Sequence, residues 1–171
     1  GVSFGIAAAG FARRGWSTIV GGALGGMAIG GIVKLLGLDA FSLLLGRSPG
    51  GITGAPEGLL LGGAVGLGAW LAGRPRSASM RRRIAIAGLV GALGGVLVPL
   101  LGGRLMGGSL DLLARTFPGS HLRLGQLGIL VGDHDFGLVT RVVTGGVEGA
   151  LFAACIVGAL FRARDRLHVT S

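Results

Sequence analysis

The sequence predicts an all-α integral membrane protein: four glycine-rich transmembrane helices forming two parallel helical-hairpin repeats, with short interfacial helices and a small extracytoplasmic β-hairpin. Three observations predict it. Four long apolar runs carry almost no charge, in a chain that is 50% hydrophobic, 13% charged and has a mean hydropathy of +0.76. Glycine fills 38 of 171 positions, many of them inside those runs. Arginine is clustered in alternate connecting segments. Glycine is a poor helix former in water, by about 1 kcal/mol against alanine. In lipid it lets helix backbones approach closely where hydrophobic burial drives nothing. The combination points to close-packed membrane helices.

Residues 1–15 form a lead-in segment. The run GVSFGIAAAGF resembles the apolar region of a signal peptide, but no basic stretch precedes it. An interfacial helix is expected there. The chain opens on Gly1 rather than Met, as expected of a processed chain or a module of something longer.

Repeat 1 occupies residues 16–73 and holds the first two spans, Trp16–Leu36 and Pro56–Ala72. Each approaches the roughly 20 residues needed to cross a bilayer. Lys34 can snorkel to the interface, and Pro56 falls in a first helical turn, where a missing N–H is harmless. An arginine-rich loop, 74–83, leads to repeat 2, residues 84–161, with spans Ile84–Leu101 and Gly145–Phe161. Pro99 predicts a kink late in the third span. A basic tail, 162–171, closes the chain.

The duplication is read from two offsets. Gly22-Ala23-Leu24-Gly25-Gly26 recurs 69 residues later as Gly91-Ala92-Leu93-Gly94-Gly95, and Pro49-Gly50 as Pro118-Gly119. Thr53-Gly54-Ala55-Pro56-Glu57-Gly58 recurs as Thr144-Gly145-Gly146-Val147-Glu148-Gly149 at an offset of 91. The difference measures an insertion between Pro118 and Thr144. Leucine-rich segments, Leu38–Gly46 and Ser109–Thr116, are too short to span and predict interfacial or re-entrant helices. Within the insertion 121–143, Gly128–Val131 and Phe136–Thr140 flank a Gly-Asp turn and predict a hairpin.

Sidedness follows from the arginines. Segments before span one, between spans two and three, and after span four hold ten arginines against Asp165 alone. The opposite side balances six bases with six acids, so the whole net charge of +9 lies on one side. The positive-inside rule makes that side cytoplasmic, with both termini there and a bacterial inner membrane as the expected location. The same clustering beside apolar runs argues against nucleic acid as a partner.

Few residues carry chemistry. Glu57 and Glu148 are the candidates, as an ion-holding or structural pair, because ionisable groups beside membrane helices are costly and often functional. Their plain reading is an acid in a first helical turn, favoured by the dipole, or a buried pairing with Arg47 or Arg141. Gly22, Gly26 and Gly30, with Gly58, Gly62 and Gly66, and Gly91 with Gly95, form small-x-x-x-small faces expected to pack helices. Asp133-His134-Asp135 with His121 reads as a solvated turn rather than a metal site. Cys155 stands alone in the fourth span and reads as a packing residue. Trp16 and Trp70 read as interface anchors. No nucleophile or phosphate-loop motif is present, and no cofactor is expected.

The expected function is a non-enzymatic membrane subunit or membrane domain that packs through its glycine faces and docks a membrane-protein partner or a second copy. The alternative is a small oligomeric channel or transporter with Glu57 and Glu148 near its outer mouth.

Overall fold

The computed structural model describes residues 15–46, 53–74, 79–116, 129, 132 and 136–169. The long elements in chain order are α1 (Gly15–Leu45), α2 (Ala55–Gly73), α3 (Met80–Leu100), α4 (Met106–Thr116) and α5 (Leu138–Val169). Four of them, all but α4, are long and apolar enough to cross a membrane, as a multi-pass membrane protein requires.

The bundle is built from two antiparallel helix pairs, α1 with α2 and α3 with α5, joined mainly where α2 meets α3. Each pair closes on glycine. On the first seam, a Cβ placed on Gly26 would strike the Gly58 carbonyl, and one on Gly58 would strike the Gly26 carbonyl. Gly22 and Gly62 stand in the same reciprocal relation, and Gly30 faces the Gly54 carbonyl. Gly66 ends the seam against the backbone of Thr18 and Ile19. On the second seam the reciprocal pairs are Gly91 with Gly149 and Gly95 with Gly145. Each glycine hydrogen in that direction points at the facing carbonyl, the geometry of a Cα–H···O contact worth about 0.5–1 kcal/mol.

At one end Gly15 lies against Trp70, and Phe161 lies against Gly73 and under the Arg83 guanidinium. The start of α1, the end of α2, the start of α3 and the last turns of α5 therefore gather there. With them come Arg74, Arg81, Arg82, Arg83, Arg162, Arg164 and Arg166. The apolar core sits near this end, around Val65, Ala72, Ala87, Ala153 and Val157.

Several expectations need correcting. The first leucine-rich segment is no separate helix: α1 runs unbroken through it to Leu45. Nothing in Gly15–Leu45 stops a helix, whereas Pro99, at the position that the 69-residue offset pairs with Gly30, is followed one residue later by the end of α3. That end is a Schellman turn. The Gly103 N–H donates to the Val98 carbonyl and the Gly102 N–H to the Pro99 carbonyl, with Gly102 at φ +84°.

The β-hairpin is not supported, since no strand occurs among the described residues, and of its expected first strand Gly128, Leu130 and Val131 lie outside them. Leu138–Thr140, the last three residues of its expected second strand, Phe136–Thr140, are the first turn of α5, which starts seven residues ahead of the predicted span. Two strands without further partners are marginal, and a helix satisfies its backbone locally. Residues 1–14, both Pro-Gly turns, Arg47, His121, Arg123 and Asp133–Asp135 lie outside the described residues.

Candidate functional site

At the end opposite the arginines, the segment from Gly103 to Ser109 gathers the polar groups of three helices. Thr53, just ahead of α2, donates its hydroxyl to the Arg104 carbonyl at 2.7 Å. The same oxygen lies 2.9 Å from the Ser109 hydroxyl. Thr53 has only one hydroxyl proton, already given to Arg104, so Ser109 is the donor in that contact. The Thr53 N–H in turn donates to Ser109 Oγ at 3.1 Å.

Glu57 stands at the third position of α2. Its Oε2 accepts the Gly54 N–H at 2.9 Å. Gly54, not Thr53, is thus the N-cap, and the three-residue spacing lets the carboxylate satisfy one of the orphan donors of the helix start. The Glu57 side chain also lies against Gly103: a Cβ there would come within 3.0 Å of its Cγ and 3.1 Å of its Oε1. The stem of Lys34 crosses the same helix start, with its Cδ 2.6 Å from where a Gly54 Cβ would be.

Glu148 does something else. It lies ten residues inside α5, so the expected first-turn position does not hold for it. Its Oε1 accepts the Gly107 N–H at 2.8 Å and its Oε2 the Met106 N–H at 2.8 Å. Both N–H groups open α4, so Glu148 caps a neighbouring helix where Glu57 caps its own. Phe136, buried at 4% exposure, covers the same glycine from outside, and Thr144 donates its hydroxyl back to the Thr140 carbonyl at 2.8 Å. The expected pairing with Arg141 does not form: the Glu148 oxygens take backbone N–H groups, and Arg141 Nε is buried with no hydrogen-bond partner among the described residues.

The structure therefore brings both acids to the same stretch of chain, but not in equivalent roles. The glycine contacts show why. Reciprocal pairing matches Gly58 with Gly145 and Gly62 with Gly149, an offset of 87, whereas the shared T-G-x-x-E-G motif implies 91. The motif is thus displaced by one helical turn, about 6 Å, relative to the packing.

Beside this knot lies an apolar groove of about 700 Å³. Val33 and Gly37 of α1, Leu61 of α2, Leu113 of α4, and Leu151 and Phe152 of α5 line it, and Thr53, Ser109 and Glu148 border it. Cys155 also lines it and is exposed rather than packed. Among the described residues, no three of His, Cys, Asp and Glu come together as metal ligands would.

Comparison of the chain with protein-family models, with curated proteins and with solved structures finds no match in any of the three.

The groove and the role of Glu148 were not legible in the sequence. The signal that was there is Gly102-Gly103 following Pro99, a helix stop that leaves a new helix start needing a cap.

Proposed function

We propose that this chain is a non-enzymatic membrane subunit that docks a second membrane protein, or another copy of itself, along α1. One observation carries the reading. The antiparallel seam sets Gly30 opposite Gly54, so residues 32–45 of α1 run on past the start of α2. At 1.5 Å per residue that projection is about 21 Å. It is mostly apolar, with Leu35 and Leu36 each 65% exposed and Leu43 86% exposed. Only 11% of the α1 span is buried within the bundle, against 33% for α3 and for α5. An edge helix held on one side, with leucines carried beyond its neighbour, is suited to a partner's helices.

In this reading Glu57 and Glu148 are structural, since their carboxylates are engaged by backbone N–H groups. The arginine-rich end faces the cytoplasm, as the positive-inside rule requires. The two helix pairs descend from one duplicated hairpin, a view supported by the repeated Gly-Ala-Leu-Gly-Gly block and by its use of the same two glycines on each seam.

The test is purification from native membranes in mild detergent, with mass analysis of the intact assembly, after cysteine cross-linking from positions 24, 32 and 36 in a Cys155→Ala background. A stoichiometric companion or second copy cross-linked through α1 is expected. A monomer that yields no protein adduct from any of the three positions would overturn the proposal.

A further inference from the structure

The arginine-rich end holds a second cavity that packing of the bundle does not account for. Residues of α1, α2 and α5 line it, and its volume is about 490 Å³. Its apolar wall is Ala69, Val157, Leu160 and Phe161, with Thr18 on the α1 side. At its mouth stand two arginines on different helices, Arg74 closing α2 and Arg164 on α5, both exposed. The Arg74 guanidinium lies 3.9 Å from the centre of the Trp70 ring, which restrains a side chain that otherwise samples many rotamers. Among the described residues no acid lines the cavity; Asp165, next to Arg164 in sequence, is not part of its wall.

We propose that this cavity binds one anionic phospholipid, with its phosphodiester between Arg74 and Arg164 and an acyl chain along Ala69, Val157 and Phe161. Charge complementarity selects the headgroup: two guanidiniums without a lining carboxylate attract a phosphate, and arginine forks match phosphate oxygens. The apolar wall directly beneath selects a lipid over a free anion, because an inorganic phosphate leaves that wall uncovered. Basic pockets between membrane helices are suited to such headgroups. The site lies at the opposite end of the bundle from Glu57 and Glu148 and does not depend on the docking role of α1.

The experiment uses the full chain with Trp16→Phe, which leaves Trp70, in the cavity wall, as the sole tryptophan. It is reconstituted in phosphatidylcholine vesicles containing a minor fraction of brominated lipid, either phosphatidylglycerol or phosphatidylcholine. Bromine on an acyl chain quenches a tryptophan it touches, so the ratio of the two quenching curves reads the preference for the anionic lipid. The expected result is stronger quenching by brominated phosphatidylglycerol, with the preference falling about fivefold for each of Arg74→Gln and Arg164→Gln. Arg164→Gln, at an exposed helix position, guards against a folding defect in the Arg74 variant. Arg81→Gln with Arg82→Gln, on the same face but outside the cavity, is expected to keep the preference. Equal quenching by the two lipids, a preference that survives Arg164→Gln, or equal loss in the Arg81/Arg82 variant would overturn the proposal.

Discussion

Glu148 of α5 holds the first turn of α4 through Gly107, whose N–H it accepts at 2.8 Å while its second oxygen takes the N–H of Met106. A helix start needs such partners, because its first N–H groups have no carbonyl of their own. The acid paired with Glu57 by the shared motif is thus the cap of a separate helix, α4, rather than of its own.

Glu148→Ala removes both acceptors, at a cost of about 1 kcal/mol for the part-buried Gly107 N–H and less for the exposed Met106 N–H. Glu148→Gln keeps one acceptor oxygen and is expected to lose less. Hydrogen exchange across Met106–Thr116 checks this: protection there falls in the order native, Gln, Ala, while α1 and α2 are unchanged. If these acids carried ions instead, flux into liposomes would change in Glu57→Gln and Glu148→Gln with α4 still protected.

Neighbouring glycines on α2 give a sharp contrast. A methyl at Gly62 meets the Gly22 carbonyl, whereas at Gly63 it meets only Ala23 Cβ at an ordinary 3.6 Å. Gly62→Ala is expected to destabilise by about 1–3 kcal/mol through overpacking. Gly63→Ala is expected to be neutral or slightly stabilising, because alanine is the better helix former. Thermal unfolding in detergent distinguishes them, and equal midpoints would mean that the seam is not closed on backbone.

Gly102→Ala forces a side chain into the left-handed region at φ +84°, at a cost of about 1–2 kcal/mol. Pro99→Ala is expected to cost less than that, since the Schellman bonds from Gly102 and Gly103 do not involve the proline nitrogen. Denaturation of the two single variants in detergent checks the order.

Topology is tested by single cysteines at Ser79 and Ser120, each in a Cys155→Ala background. Membrane-impermeant thiol reagents are expected to reach the two from opposite sides. Labelling of both from one side would contradict four crossings.

Much of the architecture was legible. The existence and order of the four apolar helices follow from run length and charge exclusion, which are local properties. A Cβ at Gly22, Gly26, Gly30, Gly58, Gly62, Gly66, Gly91 or Gly95 would meet the backbone of a facing helix, and a stripe of small residues on a helix is the sequence signal for such contact. The unions and breaks were less legible. Leu38–Leu45 joined α1 because no stop residue separates them, while the Pro99–Gly103 stretch ended α3 and created α4. The segment Leu138–Thr140 reads as a strand by composition, but it is continuous with α5 and folds as its first turn.

The sequence by itself determined that this chain is a set of apolar, glycine-bearing helices with arginine clustered in alternate connecting segments, since hydropathy and charge act residue by residue. Only the tertiary structure decided which glycine meets which carbonyl, and hence that the second acid sits one turn out of step with the first. Helix register is set by backbone contacts between segments far apart in sequence. A shift of one turn keeps every small residue on its seam, so the glycine pattern alone does not specify it. That turn is what carries Glu148 to the start of α4.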